Sequence, residues 1–306
     1  MERRLLGQYQ NGNVSVSIYS DGTKIRETED DEFKPAFAEN MDIKICDRCN
    51  VGCAFCHEGS SPNGRLGDLH ENFIETLHPY QEVALGGGDI FEHPGILNLL
   101  VRLSEKKVIT NITINQATFE KHYELIKRLS DRRWVYGVGV SLVEVTSDFL
   151  HKIKTIDNAV VHVINGIFTE EDEDLLALNG LKILILGYKH LRRGYSYYNS
   201  NAKTIEYNMK WLYNALPQIM RDNDFATISF DNLALEQLNA KRLITPEQWD
   251  LFYAGDDGSF TYYIDMVNRQ FALSSTAPFD ERYPLMDNVD EMFQVIQAKH
   301  CTAEQN

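Results

Sequence analysis

The sequence predicts an α/β protein whose central part forms an open, barrel-like parallel sheet. Between about residues 41 and 200, short apolar runs alternate six times with longer amphipathic segments, the pattern of repeated strand–helix units. The apolar runs are nearly continuous, as in strands that are covered on both faces. Cysteines and clustered glycines directly follow the first two runs. Six units are too few to close an eight-stranded barrel, so we expect a partial (βα)6 TIM-like barrel with its site at the carboxyl ends of the strands.

An N-terminal β segment, residues 1–40, precedes this core. Two turn pairs, Asn11-Gly12 and Asp21-Gly22, divide it into short runs of alternating polarity. Asn-Gly and Asp-Gly favour tight hairpin turns. The pattern predicts a β hairpin or a three-stranded meander, with strands over residues 5–9, 14–19 and 23–26.

The core is assigned to residues 41–200. Each of its strands is a short apolar run followed by turn residues and an amphipathic stretch, which predicts parallel pairing of successive strands. The predicted strands lie near residues 41–45, 82–85, 108–115, 135–142, 159–165 and 182–186.

Residues 201–306 are assigned to a small α+β extension that completes or caps the barrel. Thr245, Pro246 and Gln248 stand at the positions of an N-cap, a first helical residue and a capping-box partner, so a helix begins there. The other predicted elements are a helix over 204–223, a strand over 226–230, and a hairpin of 260–265 with 269–273.

Composition and charge limit the kinds of molecule and compartment that we expect for this protein. The 306 residues are 43% hydrophobic and 25% charged, with a formal net charge of −15. Long nucleic acids are not expected as partners, because a protein that binds them through phosphates needs a basic face. No run approaches the roughly 18 to 20 apolar residues of a membrane span, and the first residues lack a signal-peptide pattern, so we expect a cytoplasmic protein. The one basic run, residues 189–193, is interpreted as a solvated loop rather than a site for phosphate or carboxylate.

Three cysteines on one short segment predict a metal centre. Cys49, Cys53 and Cys56 follow the first core strand with the spacing CxxxCxxC. Iron–sulfur clusters are usually held by four thiolates, so three leave one iron open. Zinc is disfavoured, because adding Cys46 gives two CxxC pairs only three residues apart, where zinc ribbons leave about 15 to 20. A four-cysteine cluster that uses Cys46 is the second alternative, although Cys46 would end the strand and pack as a small apolar residue. Cys301 is alone near the end, so no disulfide framework is expected.

The cysteine segment, with Phe55 before its last cysteine, resembles the signature of the radical S-adenosylmethionine (radical SAM) superfamily. Gly87, Gly88 and Asp89, after the second strand, are similar to that family's Gly-Gly-Glu motif. Asp89 stands where Glu is usual and Ile90 where Pro is usual. The resemblance implies a [4Fe-4S] cluster on the three cysteines and S-adenosylmethionine held by this glycine-rich loop.

Further cofactor contacts are implied at the ends of the later strands, and the resemblance covers about residues 41–190. Asn115 or Gln116, after the third strand, and Ser141, on the fourth, are similar to positions that meet the ribose and carboxylate of S-adenosylmethionine. Ser141 is alternatively a helix cap. The positions similar to adenine contacts are Ile164 and Gly166 after the fifth strand and Gly187 and Tyr188 after the sixth.

The resemblance also implies a reaction and a partner. An external electron reduces the cluster, and S-adenosylmethionine is cleaved to methionine and a 5'-deoxyadenosyl radical that abstracts hydrogen from a substrate. The cofactors carry this chemistry while the protein positions them. A low-potential electron donor, a flavodoxin or a ferredoxin, is the implied partner.

The C-terminal region bears on the substrate. Residues 262–275 resemble the hairpin that opens the SPASM extension of peptide-modifying radical SAM enzymes, with Ser or Thr where cysteines bind an auxiliary cluster. This favours a peptide or protein substrate without an auxiliary cluster. Three alternatives remain open: a glycyl-radical enzyme activase, on the pair Cys56-His57; a nucleotide or small-metabolite modifier, on the basic run; and a non-catalytic Fe–S or zinc protein that does not bind S-adenosylmethionine.

Overall fold

The computed structural model describes residues 3–303, and side chains as far as residue 299. The N-terminal part is a three-stranded antiparallel meander, as one of the two predicted forms has it. Gly12 and Gly22 occupy its turns with φ of +62° and +90°, which glycine adopts without strain. Its strands are β1 (Leu5–Asn11), β2 (Val14–Tyr19) and β3 (Lys24–Glu27).

A ten-stranded, mostly parallel sheet forms the centre of the molecule and confirms the α/β class. Its strand order is β10-β9-β8-β7-β6-β5-β4-β11-β12-β13, and the pairs from β10 to β11 in that order are parallel. The parallel strands are β4 (Asn40–Cys46), β5 (Glu82–Gly87), β6 (Ile109–Asn115), β7 (Gly137–Ser141), β8 (Ala159–Ile164), β9 (Lys182–Leu186), β10 (Thr227–Phe230) and β11 (Thr261–Asp265). The antiparallel strands are β12 (Gln270–Ala272) and β13 (Tyr283–Pro284).

The sheet extends beyond the six predicted strands. β10 pairs in parallel with β9, and β11 pairs in parallel with β4 on the other side. The predicted hairpin of β11 with β12 is confirmed. Its outer pairing to β4 joins residues 221 positions apart, as in the bond between the side chains of Asn40 and Thr261.

Helices connect the strands and cover one face of the sheet. The helix predicted over 204–223 is longer in the structure and is kinked at Asn201, where φ is −130°. The capping box at Thr245 is confirmed. No helix among residues 3–303 is both long and apolar enough to cross a membrane. The helices are α1 (Ile96–Glu105), α2 (Gln116–Lys121), α3 (Tyr123–Asp131), α4 (Ser147–Ile153), α5 (Glu170–Leu176), α6 (Arg193–Asp222), α7 (Asn232–Gln237), α8 (Pro246–Phe252) and α9 (Val289–Ala303).

The two faces of the sheet differ in polarity. Alternate residues such as Met41, Ile43 and Ile45 of β4 are buried in the core that the strands form with the helices. The other face surrounds a cavity of about 680 Å³. The expectation of apolar cover on both faces is therefore wrong, because side chains alternate along a strand and the set that faces the cavity includes charged and polar residues. Seven strands of this sheet line the cavity, through Asp42 (β4), Ala84 (β5), Thr113 (β6), Gly139 (β7), His162 (β8), Leu184 (β9) and Ser229 (β10) among others.

Candidate cofactor site at the carboxyl ends of β4 and β5

The three cysteines lie on the loop that follows β4. Cys49, Cys53 and Cys56 are half-buried free thiols. The loop is tightly wound: the Cys49 amide donates to the Ser61 carbonyl (2.9 Å), and the Cys56 amide donates to the Cys53 carbonyl (3.3 Å). Burial raises the pKa of Cys53, and the nearby Cys56 and Cys49 raise it further, while Arg193 opposes the shift. The thiols are thus close enough to interact electrostatically.

Donor chemistry fits a group bound by three thiolates. Iron–sulfur clusters take thiolate ligands, and these three sulfurs share one loop without a disulfide. Within residues 3–299, no three Cys, His, Asp or Glu side chains already stand in a ready-made metal geometry.

Cys46 has a different environment from the other three cysteines. It is fully buried at the end of β4, and its thiol donates to the Asp89 carbonyl (3.3 Å). Burial raises the pKa of Cys46 to about 12. A thiol held protonated in the core is a poor metal ligand, since the thiolate is the form that binds metals.

The glycine-rich loop after β5 packs directly on the cysteine loop. The Gly88 amide donates to the Cys46 carbonyl (2.8 Å), and the Asp89 amide donates to the Arg48 carbonyl (2.8 Å). Gly87 has a φ of +112°, and a Cβ there would overlap the Cys46 carbonyl oxygen. A Cβ on Gly88 would likewise overlap the Arg48 carbonyl oxygen. Both glycines are therefore required for the two loops to meet, whatever else they bind.

Asp89 and Gln116 are directed into the protein. The carboxylate of Asp89 accepts from the Phe91 amide (3.0 Å) and the Thr118 hydroxyl (3.1 Å), and the residue is 6% exposed. Gln116 accepts from the amides of Val143 (2.8 Å) and Glu144 and donates to the Glu144 carbonyl. These two side chains hold loops in place.

Asn115, Ser141 and Ile164 end neighbouring strands and remain partly accessible. Asn115 caps α2 through the Ala117 amide (2.9 Å), and its amide nitrogen donates to the Cys53 sulfur (3.4 Å). The alternative role of Ser141 as a helix cap is wrong, because Thr146 caps the helix that follows.

The remaining three predicted positions are buried. A Cβ on Gly166 would lie 2.7 Å from Ile205, and one on Gly187 would overlap Leu233, so both are glycines for close packing. Tyr188 is 2% exposed, donates its hydroxyl to the Gly194 carbonyl (2.8 Å), and has its pKa raised to about 12 by burial.

Sequence reasoning missed a buried charge network beneath the cysteine loop. Lys44, whose side chain is 2% exposed, pairs with Asp47 (2.6 Å), Glu58 (2.9 Å) and Asp265 (3.6 Å). Burial opposes ionisation of Glu58, but the hydrogen bond from His57 and the charge of Lys44 hold its pKa well below the usual range. The network links β4, both ends of the cysteine loop and β11. A lysine at an alternate position of an apolar strand is the signal that could have found it.

Cations of the basic run bond to other segments, and the expectation of a solvated loop is wrong for Lys189 and Arg193, whereas Arg192 stays exposed. Arg192 bonds to the Glu58 carbonyl and lies 3.4 Å from its carboxylate. Arg193 donates to the Ser60 carbonyl (2.8 Å), and Lys189 donates to the Ser275 hydroxyl (3.1 Å). Internal partners therefore occupy these charges.

Comparison with known proteins gives a likeness of fold. No family model matches the chain, and no curated protein matches it. The structure of SuiB from Streptococcus suis bound to S-adenosylmethionine has a TM-score of 0.51 and 15% sequence identity, and the match covers 78% of this chain and 60% of SuiB. The structure of SuiB bound to the precursor peptide SuiA has a TM-score of 0.48 and 14% identity over the same shares. The chain thus matches about 60% of the length of SuiB, and identity this low concerns the fold alone.

Proposed function

We propose that this protein is a radical SAM enzyme with a [4Fe-4S] cluster on Cys49, Cys53 and Cys56. One observation carries the proposal. Three free, half-buried thiols share a loop that is hydrogen-bonded through its backbone to a glycine-rich loop, at the carboxyl ends of the adjacent strands β4 and β5. Loops at the carboxyl ends of parallel strands are where α/β proteins place their ligands.

The sheet supports the same assignment. Strands β4 to β10 all contribute lining residues to one cavity, and this supports the proposed partial barrel. The structure of SuiB, which is similar in fold to this chain, is bound to S-adenosylmethionine, and this supports the same ligand here.

Accessibility divides the proposed cofactor contacts into two groups. We assign direct contact with S-adenosylmethionine to the positions that stay partly or fully accessible, and a supporting role to the buried ones. The contacts are Gly87, Gly88, Asn115, Ser141 and Ile164, and the supporting residues are Asp89, Gln116, Gly166, Gly187 and Tyr188.

When bound, the cluster and S-adenosylmethionine supply an electron and a sulfonium whose reductive cleavage gives methionine and a 5'-deoxyadenosyl radical. The chain's own residues prepare the loop for them. Arg193 favours the thiolate of Cys53 against the effect of burial, and Asn115 orients that sulfur. Lys44 and its acidic partners hold the loop to the sheet.

The partners follow from this chemistry. A low-potential donor, a flavodoxin or a ferredoxin, supplies the electron. The cytoplasm is the compartment that suits both this donor and the cluster. A peptide or protein is the proposed substrate, on the resemblance of residues 262–275 to the SPASM hairpin. That hairpin lies beside β4, and Ser275 bonds to Lys189 beyond the end of β9, so it reaches the edge of the site.

Anaerobic reconstitution with iron and sulfide, reduction by dithionite and addition of S-adenosylmethionine test the proposal. The product 5'-deoxyadenosine is measured by chromatography. We expect it from the wild type, not from Cys53→Ala, and again from Cys46→Ala, the matched cysteine variant. A fully loaded cluster that yields no 5'-deoxyadenosine overturns the proposal in favour of an electron-transfer or structural metal site. Loss in Cys46→Ala, with its fold intact, assigns that residue as a fourth ligand.

A further inference from the structure

The cavity enclosed by the sheet contains a carboxylate without a partner. Asp42, on β4, lies on the cavity wall, and its side chain is exposed to the cavity. No hydrogen bond or ion pair joins its side chain to another residue within the described part of the chain. Lys189 is close enough to influence Asp42, but its ammonium group bonds to Ser275 instead. A carboxylate on a concave wall attracts cations, because the surrounding protein concentrates its electric field in the cavity.

The other charged residues on the cavity wall are Asp21, Glu82 and Lys182. Glu82 pairs with Lys24 (3.5 Å). Lys182 donates to the Asp21 carbonyl (3.1 Å) and to the Asn158 side chain (3.3 Å). The wall thus carries three carboxylates and one ammonium group, so its net charge is negative.

A second orphaned group faces the same space. His162, on β8, is 8% exposed and lines the cavity, and its Nδ1 has no hydrogen-bond partner. Its ring lies against Gly139, where a Cβ would overlap it. This Nδ1 is itself buried, so the imidazole contributes to the cavity wall through the rest of its ring.

Small residues and a closed end shape the space. Ala84 leaves room on β5, whereas the side chains of Asn111 and His162 pack over Gly137 and Gly139 on β7. The tip of the meander covers the amino-terminal end of the strands, where Asn158 donates to the Ser20 carbonyl (2.8 Å). At about 680 Å³, the cavity is in the range of a small-ligand pocket.

The cavity lies directly below the proposed cofactor contacts. Two residues along a strand, on the same face, separate Thr113 from Asn115, Gly139 from Ser141, and His162 from Ile164. At about 3.3 Å per residue, this is one side-chain layer, or about 7 Å.

We propose that this cavity binds a positively charged group of the substrate, an ammonium or a guanidinium, with Asp42 as its counter-ion. His162 and the hydroxyls of Thr113 and Ser229 complete the polar wall around that group. The role as a substrate pocket rests on the proposed radical SAM function. Binding of the cation itself does not, because it requires neither the cluster nor S-adenosylmethionine.

Ligand-observed NMR on the cluster-loaded protein at about 0.15 M salt, without S-adenosylmethionine, tests the proposal. The probes are n-butylammonium, with n-butanol as the neutral match and butyrate as the anionic match. We expect n-butylammonium to bind tightest and its affinity to fall roughly tenfold or more in Asp42→Asn. Asp174→Asn, the same change at an exposed position of α5, leaves the affinity unchanged.

Ala84→Leu crowds the space beside Asp42, its partner across β4 and β5, while keeping the charge, and must also weaken binding. Equal binding of the three probes, unchanged affinity in Asp42→Asn, or full binding by Ala84→Leu overturns the proposal. Amine binding without 5'-deoxyadenosine formation leaves the pocket intact and defeats the radical SAM function. Formation of 5'-deoxyadenosine without amine binding defeats the pocket proposal and leaves the radical SAM function intact.

Discussion

His162 should make the stability of this protein fall between pH 7 and pH 5. Burial lowers the pKa of this imidazole to about 4 in the folded chain, against about 6.5 for an exposed histidine. As the pH falls, the unfolded state therefore binds the proton first. The free energy of unfolding is unaffected by this group above pH 6.5 and decreases as the pH falls towards 4. The expected loss relative to high pH is about 2 kcal/mol at pH 5 and about 3.4 kcal/mol below pH 4.

Urea unfolding of the cluster-free protein at pH 7 and pH 5, followed by circular dichroism and by fluorescence, measures this loss. The matched protein is His162→Gln, which keeps a polar side chain but cannot take up the proton. Carboxylate titration contributes to both proteins alike, so the difference between them isolates the imidazole. If the two proteins lose the same stability between pH 7 and pH 5, His162 is not buried as a neutral group and the reasoning fails.

Three substitutions test other parts of the structure. Gly87→Ala should destabilise the protein by roughly 1 to 3 kcal/mol and reduce iron loading, because Gly87 has a positive φ and an added Cβ would overlap a carbonyl oxygen. Thermal unfolding measures the stability and iron analysis measures the loading. A normal iron content would contradict the packing argument. Lys44→Met should lower the free energy of unfolding in urea by about 3 to 5 kcal/mol, since it leaves buried carboxylates without a counter-ion. Lys127→Met, at an exposed ion pair, should cause no measurable change. Equal effects would refute the buried network. Thr245→Ala should cost about 1 kcal/mol through loss of the capping box of α8, and an unchanged urea midpoint would show that this helix does not need its cap.

The elements that could be predicted are those whose signals are local. The turn at Asn11-Gly12, the capping box at Thr245 and the β11–β12 hairpin each depend on residues a few positions apart, and all three occur in the structure. The close succession of three cysteines after an apolar run is also local, and the three thiols share one loop.

Pairing between distant segments could not be read in this way. The sequence shows a strand at residues 226–230, but no local feature indicates that β10 joins β9 or that β11 joins β4. The alternation of apolar and polar side chains along β4 did not reveal which side chains are buried, because Lys44 is buried against acidic partners from three other segments. A lysine within an apolar run marks the position as unusual, but the sequence does not show which acidic residues pair with it.

The sequence by itself determined the class of the fold, the order of its strands and helices, and the loop that bears the candidate ligands, because short-range conformational preferences and residue chemistry decide these. Only the tertiary structure decided which predicted cofactor residues stay accessible, how the charge network braces the cysteine loop, and that a cavity with an unpaired carboxylate lies beneath it. These depend on distances between residues brought together by the curvature and pairing of the sheet. Such distances are set by packing of the whole chain rather than by any one segment.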